Sequence, residues 1–192
     1  NRVEFGIEIF DGQFAGLGQA LLRVQGPTRA LLTAERTALN FVQRLAGVAT
    51  LTAQFVEQVA GTGAKILDTR KTTPGWRALE KYAVVCGGGT NHRVGLYDQV
   101  MIKDNHLASR GNPLDVASAI TAARAAVDND VTVQAEIDSL EQLAPALDAR
   151  PDILLLDNMT TEELVLAGTV LDNTAPDVLL EAQAEEHDDN RP

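Results

Sequence analysis

Among the side chains of this 192-residue chain that could hold anions or a divalent cation, seven stand in short motifs that could work together. Arg70 and Lys71 stand together in DTRKTTPG, and His92 and Arg93 in GGGTNHRVG. Lys103 lies in IKDNH, Glu136 in AEID and Asp157 in LLLDN. Arginine presents a planar fork that meets a carboxylate or phosphate through two N–H donors. Lysine and histidine add point charges, while carboxylates suit a hard divalent metal or hydroxyl groups. Five cations together with two carboxylates therefore point to a polyanionic substrate handled with a divalent metal.

The charge distribution strengthens that reading. The chain has a formal charge of -11, yet all four of its lysines (Lys65, Lys71, Lys81 and Lys103) fall between residues 65 and 103. Residues 65–106 hold seven Lys and Arg against four Asp and Glu, a local +3, so the remainder carries -14. Cations gathered against the general trend mark an anion site. A solvated, salt-bridged helix face is the alternative that charge alone leaves open.

Elements must position these groups. Residues 3–32 alternate short apolar stretches with turn signals, which predicts short strands or a meander. Thr33 reads as the N-cap of a helix with Leu39, Val42 and Leu45 on one face, broken at Gly47. A second helix is expected over 51–59. From residue 64 onwards AKILDT, QVMIKD, VTVQAEID, DILLLDN and DVLLEA read as five apolar strands. Helical patterns over 74–85, 113–127, 139–147 and 160–171 separate most of them. Such alternation implies a parallel sheet covered by helices, as a barrel or a doubly wound sheet. In either, ligands sit at the carboxyl ends of the strands. The seven groups occur at those ends or in the loop between the first two strands, where a barrel would set the cations opposite Glu136 and Asp157 across one mouth.

Composition removes several function classes. A pI near 4.6 argues against general binding to nucleic acid or anionic membrane. No apolar run approaches the roughly 20 residues of a membrane span. Cys86 stands alone, which rules out an internal disulfide framework and fits a reducing, cytoplasmic setting. Blander roles are expected for some conspicuous residues. His106 fits a loop hydrogen bond, Cys86 structural filler, Gly87–Gly89 a turn, and Trp76 and Tyr82 packing.

The stretches LLTAERTALNFVQRLAGVATLT, ILDTRKTTPGWRALEKYAVVCGGGTNHRVGLYDQVMIKDNH, EIDSLEQL and ILLLDNM together resemble the quinolinate phosphoribosyltransferase family. The resemblance runs over roughly residues 5–182. It implies an α/β fold, with (β/α) barrel-type parallel strands and covering helices over 61–182, incomplete at the C-terminal end. Part of an α+β N-terminal domain would occupy 1–60, and 183–192 would form an acidic disordered tail. The implied reaction converts quinolinate and phosphoribosyl pyrophosphate, with Mg2+, to nicotinate mononucleotide, pyrophosphate and CO2, a step of NAD biosynthesis.

By the same resemblance, Thr69, Arg70, Lys71, His92, Arg93 and Lys103 would hold quinolinate, Lys71 being shared with the phosphates. Glu136 and Asp157 would bind ribose hydroxyls and Mg2+, and Lys71, Lys103, Glu136 and Asp157 would carry the chemistry. Arg36 would reach the site of a partner subunit in a homodimer. The sequence departs from the family pattern at Ala46, where Ser is usual, and at Gln134, where Glu is usual. The serine-glycine-glycine turn expected after LLEA is absent. Three other readings stay open: an inactive shortened member of the same fold, a relative acting on another acid, and a barrel lyase with Lys71 or Lys103 as Schiff-base nucleophile.

Overall fold

A computed structural model describes residues 2–112 and 114–183. The chain divides between Val94 and Gly95 into two compact units. In the first, β1 (Glu4–Ile7) and β2 (Leu22–Gln25) pair antiparallel, with Phe5 opposite Val24. One helix, α1 (Thr28–Gln58), follows directly.

That single helix replaces the two expected. Pro27 precedes its first turn with φ -59, already close to the helical value, so the helix starts before Thr33. The Thr33 hydroxyl donates to the carbonyl of Arg29 at 2.7 Å, the back-bonding of a mid-helix threonine and not a cap. Gly47 lies inside the helix in open space. A mid-helix glycine costs only about 1 kcal/mol relative to alanine, too little to break a run with good helix formers on both sides.

The expected strand over 64–69 is reduced to one parallel bridge between Leu67 and Thr90. Thr90 donates its N–H to Ile66 O at 2.8 Å, and Asp68 donates to Thr90 O at 3.2 Å. Helix α2 (Arg77–Cys86) then packs against α1. It starts three residues after Pro74, because Gly75 at φ +79 leaves the helical region. The glycines after α2 permit contact with α1. A Cβ at Gly87 would lie 2.3 Å from Ala49 O, and one at Gly89 would lie 2.8 Å from Thr52 Cγ2. Phe41 of α1 stacks on Trp76 with ring centroids 4.5 Å apart, confirming a packing role for Trp76.

The second unit is a parallel sheet of four strands in sequence order: β3 (Val100–Ile102), β4 (Val133–Ile137), β5 (Ile153–Asp157) and β6 (Leu179–Gln183). Helices α4 (Val116–Ala126), α5 (Leu143–Asp148) and α6 (Thr161–Thr174) form the connections. A six-residue helix, α3 (Asp104–Ser109), follows β3 where only a loop was expected. Four parallel strands laid down one beside the next agree with the expected α/β class and fit an arc of a barrel. Gln183 closes β6, and the stretch read as a tail from 184 onwards lies outside the described residues.

Alternation along the strands separates two faces. Ile102, Val133, Ala135, Ile137, Leu154 and Leu156 are buried in one core with Ile120 of α4, Leu147 of α5 and Leu171 of α6. Full burial of each such Leu or Ile contributes about 1.5–3 kcal/mol. The opposite face carries Gln134, Glu136, Asp157 and Glu181, so the strands present polar groups where a helix-covered sheet presents apolar ones. Two devices fix the ends. The capping box of α6 has Thr160 N donating to Glu163 Oε2 at 2.8 Å and Glu163 N donating to Thr160 Oγ1 at 3.3 Å. Asp152 Oδ2 accepts from Arg124 at 2.5 Å and from Val133 N at 2.7 Å.

Candidate active site

In the first unit the cations ride on two loops, and α2 holds both. The first loop, Thr69–Thr73, begins with a local turn in which Lys71 N donates to Thr69 Oγ1 at 3.0 Å. Arg77, in the first turn of α2, donates to Arg70 O at 3.2 Å and to Thr72 Oγ1 at 3.3 Å. Its remaining guanidinium nitrogen donates to Val94 O, at the far end of the second loop, at 2.9 Å. Three residues on, the Glu80 carboxylate accepts from Thr73 N at 3.1 Å, from Thr73 Oγ1 at 2.8 Å and from Arg44 of α1 at 2.9 Å. Burial works against the Glu80 anion, but these donors outweigh it and hold its carboxyl below the usual glutamate range.

The next residue, Lys81, is only 4% exposed and pairs with Asp68, itself 7% exposed, at 2.5 Å. Lys81 Nζ also donates to His92 O at 3.0 Å, and His92 N donates to Asp68 Oδ1 at 2.8 Å. The Asn91 amide donates to Asp68 Oδ2 at 2.7 Å and to Lys81 O at 3.0 Å. Asp68 thus receives three donors and closes a buried knot around the backbone of His92. The loops bearing Arg70, Lys71, His92 and Arg93 are brought together by one helix in a chain of net charge -11.

In the second unit the carboxylates line a cavity of about 220 Å³, bounded by Asp104, Glu136, Asp138, Gln142, Asp157 and Asn158. Four of those six are carboxylates. Lys103, at the end of β3, pairs with Glu136 of β4 at 2.5 Å, as neighbouring parallel strands permit. Asn158 turns the chain after β5 in the left-handed region (φ 54), which asparagine tolerates better than most residues. From there its amide donates to Asp157 Oδ2 at 3.2 Å. Asp157 Oδ1 is buried and makes no hydrogen bond among the described residues.

This donor set fits Mg2+. An orphaned, buried carboxylate oxygen beside a second carboxylate matches a metal that takes one or two carboxylates and completes its shell with water and substrate phosphates. Among the described residues, no three His, Cys, Asp or Glu side chains converge to hold a metal by themselves. Substrate oxygens would therefore have to supply the rest.

Other groups take the blander roles. His106 Nδ1 accepts from Lys103 N at 3.0 Å inside α3, a local loop-to-helix bond. Arg36 lies exposed on α1. The positions that sequence reading missed are Arg44, Arg77, Glu80, Lys81 and Gln142. Charges at i, i+3 and i+4 on α2 look like a solvated face, and only their burial shows otherwise.

The family model described as quinolinate phosphoribosyl transferase, C-terminal domain, matches residues 48–190, and the one for the N-terminal domain matches residues 1–46. The chain belongs to the quinolinate phosphoribosyltransferase family. Within that family it is 50% identical over 181 residues to the nicotinate-nucleotide pyrophosphorylase [carboxylating] of Mycobacterium leprae, covering 94% of this chain and 62% of that protein. The human protein of the same name is 42% identical over 171 residues, covering 88% of this chain and 57% of that one. The crystal structure of NadC from Streptococcus pyogenes superposes with a TM-score of 0.86 at 41% identity, over 95% of this chain and 63% of that one. The nicotinate-nucleotide pyrophosphorylase structure from Francisella tularensis gives 0.87 at 38% identity, over 97% and 65%. The chain thus spans between 50% and 62% of the length of these sequence relatives and of their Bacillus subtilis counterpart. The two family models meet near residue 47, inside α1.

Proposed function

We propose that the cation loops and the acidic cavity serve one reaction: transfer of a phosphoribosyl group from phosphoribosyl pyrophosphate to quinolinate, with loss of CO2, giving nicotinate mononucleotide and pyrophosphate. The observation that carries this reading is the common anchoring of Arg70–Lys71 and His92–Arg93 to α2. It ties the backbones of both cation-bearing loops to one helix, and quinolinate has two adjacent carboxylates.

Arg70, His92, Arg93 and Lys103 hold the two carboxylates, with Thr69 closing the turn beneath Lys71. Lys71 spans quinolinate and the phosphates. As pyrophosphate departs, positive charge develops on the ribosyl anomeric carbon, and Glu136 and Asp157 stabilise it while binding the ribose hydroxyls. Mg2+, held by Asp157 and Glu136 with substrate oxygens, would neutralise the leaving pyrophosphate. The pyridine nitrogen forms the new bond to that carbon, so alignment by the cations contributes much of the rate. The resulting pyridinium stabilises the carbanion left on the ring carbon when the adjacent carboxylate leaves as CO2, and that carbon then takes up a proton. Lys71 and Lys103 offset negative charge during that step. Arg36 serves the site of a second subunit in a homodimer, and the enzyme works in the cytoplasm.

Product analysis tests the reading. With phosphoribosyl pyrophosphate and Mg2+, the chain is expected to form nicotinate mononucleotide from quinolinate and none from nicotinate. Product from nicotinate alone, or from neither acid, would contradict it.

A further inference from the structure

The ion pair between Lys81 and Asp68 touches none of the groups assigned to substrate, yet its hydrogen bonds converge on one backbone segment. Lys81 Nζ donates to the carbonyl of His92 and Asp68 Oδ1 accepts from the N–H of the same residue, so the pair grips both sides of His92. Asn91 adds a third strut through Asp68 Oδ2. Asp68 also donates its own N–H to Thr90 O, fixing the start of the segment. We infer that Lys81 and Asp68 are positioning residues, setting the Asn91–Val94 segment so that His92 and Arg93 meet a dicarboxylate in register with Arg70 and Lys71.

A buried ion pair by itself argues little for stability. Its desolvation offsets its attraction, and well-packed apolar replacements are often neutral or stabilising. An apolar pair at positions 81 and 68 would hold α2 against the 66–68 segment as well as the charged pair does. Unlike an apolar pair, Lys81 and Asp68 supply a donor to His92 O and an acceptor for His92 N, and those two bonds set the direction of the backbone from which His92 and Arg93 project. The same helix fixes the other cation loop through Arg77 and Glu80, so displacement of one loop changes the spacing between the two cation pairs. Misplacement by about 1 Å, even from a distance, costs on the order of 100-fold in a site that works by alignment.

Two double variants of the full chain separate positioning from mere stability. In Lys81→Met with Asp68→Leu the pair becomes apolar and its hydrogen bonds to His92 are lost. In Lys81→Gln with Asp68→Asn the charges go but a donor and an acceptor remain. Both are neutral replacements, so they differ in hydrogen bonding at His92. Each is followed by thermal unfolding, by hydrogen exchange of the His92 amide, and by calorimetric titration with quinolinate and nicotinate. The Gln/Asn protein is expected to keep His92 exchange protection and quinolinate affinity within about threefold of the parent chain. The Met/Leu protein is expected to lose that protection while α2 keeps its own, and to bind quinolinate about 10- to 100-fold more weakly at temperatures where it is fully folded.

Equal protection and equal affinity in the two variants would overturn the assignment. So would a Gln/Asn protein of parental stability that loses affinity as fully as the apolar one. Should the Met/Leu protein not fold, that comparison of Gln/Asn with the parent still decides. The binding readout rests on the dicarboxylate reading above and the exchange readout does not. If the parent chain binds no quinolinate, that reading fails, while His92 protection in the two variants still tests the positioning role.

Discussion

Glu80 shows how one residue links sequence to loop geometry. Its carboxylate is buried because it answers four donors: both nitrogen and hydroxyl of Thr73, and two guanidinium nitrogens of Arg44. Its carboxyl is held below the usual glutamate range, since those bonds favour the anion over burial's opposition. A lowered folded-state pKa adds stability above the unfolded value, and that stability disappears as pH falls through the folded one. The first unit should therefore weaken from about pH 4.5 downwards. Glu80→Gln should remove this part of the acid dependence and cost about 1–3 kcal/mol near neutrality, because Arg44 and Thr73 lose a charged acceptor. Urea unfolding of both proteins between pH 3 and 7 checks this, as the parent and variant curves should converge at the acid end. The cation types at 70, 71, 92, 93 and 103 were legible without coordinates, because cations clustered in an acidic chain need a reason. The knot of Asp68, Lys81 and Asn91 was not legible, since nothing in the one-dimensional pattern tells a buried lysine on a helix from a solvated one.

At the scale of elements, β4, β5 and β6 were readable because they are apolar on the helix-facing side and end in polar residues. Helix α6 was readable from Thr160 and its acidic first turn. Three elements were not. Helix α3 is too short to show an amphipathic period. The 64–69 segment has strand-like composition, but pairing needs a neighbour, and only Leu67 finds one among the described residues, at Thr90. Helix α1 was divided at Gly47 on the strength of a breaker signal that tertiary packing and good flanking formers override.

Gly47 and Gly87 now make a contrasting pair. Gly47 has nothing within 4 Å of a built Cβ, whereas at Gly87 the Cβ would fall 2.3 Å from Ala49 O and 2.7 Å from Thr52 Cβ. Gly47→Ala should stabilise the chain by about 0.5–1 kcal/mol. Gly87→Ala should destabilise it by about 1–3 kcal/mol, because backbone and not a flexible side chain must give way. Thermal unfolding of the two variants should move in opposite directions. Unchanged or increased stability of Gly87→Ala would show that the close passage of α1 and α2 is not what selects glycine at 87.

At the scale of the molecule, the charge pattern and the fold tell one story. The loops bearing Arg70, Lys71, His92 and Arg93 are held by α2 in one unit, while Lys103 and the carboxylates at the ends of β4 and β5 lie in the other. The proposed function would use this division, with cations for the acid acceptor and carboxylates for ribose and metal. Central to the proposed function is recognition of two neighbouring carboxylates. Calorimetric titration with quinolinate and with nicotinate, which lacks the second carboxylate, tests it most directly. A charge-assisted hydrogen bond contributes about 1.5–3 kcal/mol, so quinolinate should bind at least about tenfold more tightly. Equal affinity for the two acids, or no binding of quinolinate, would contradict the account.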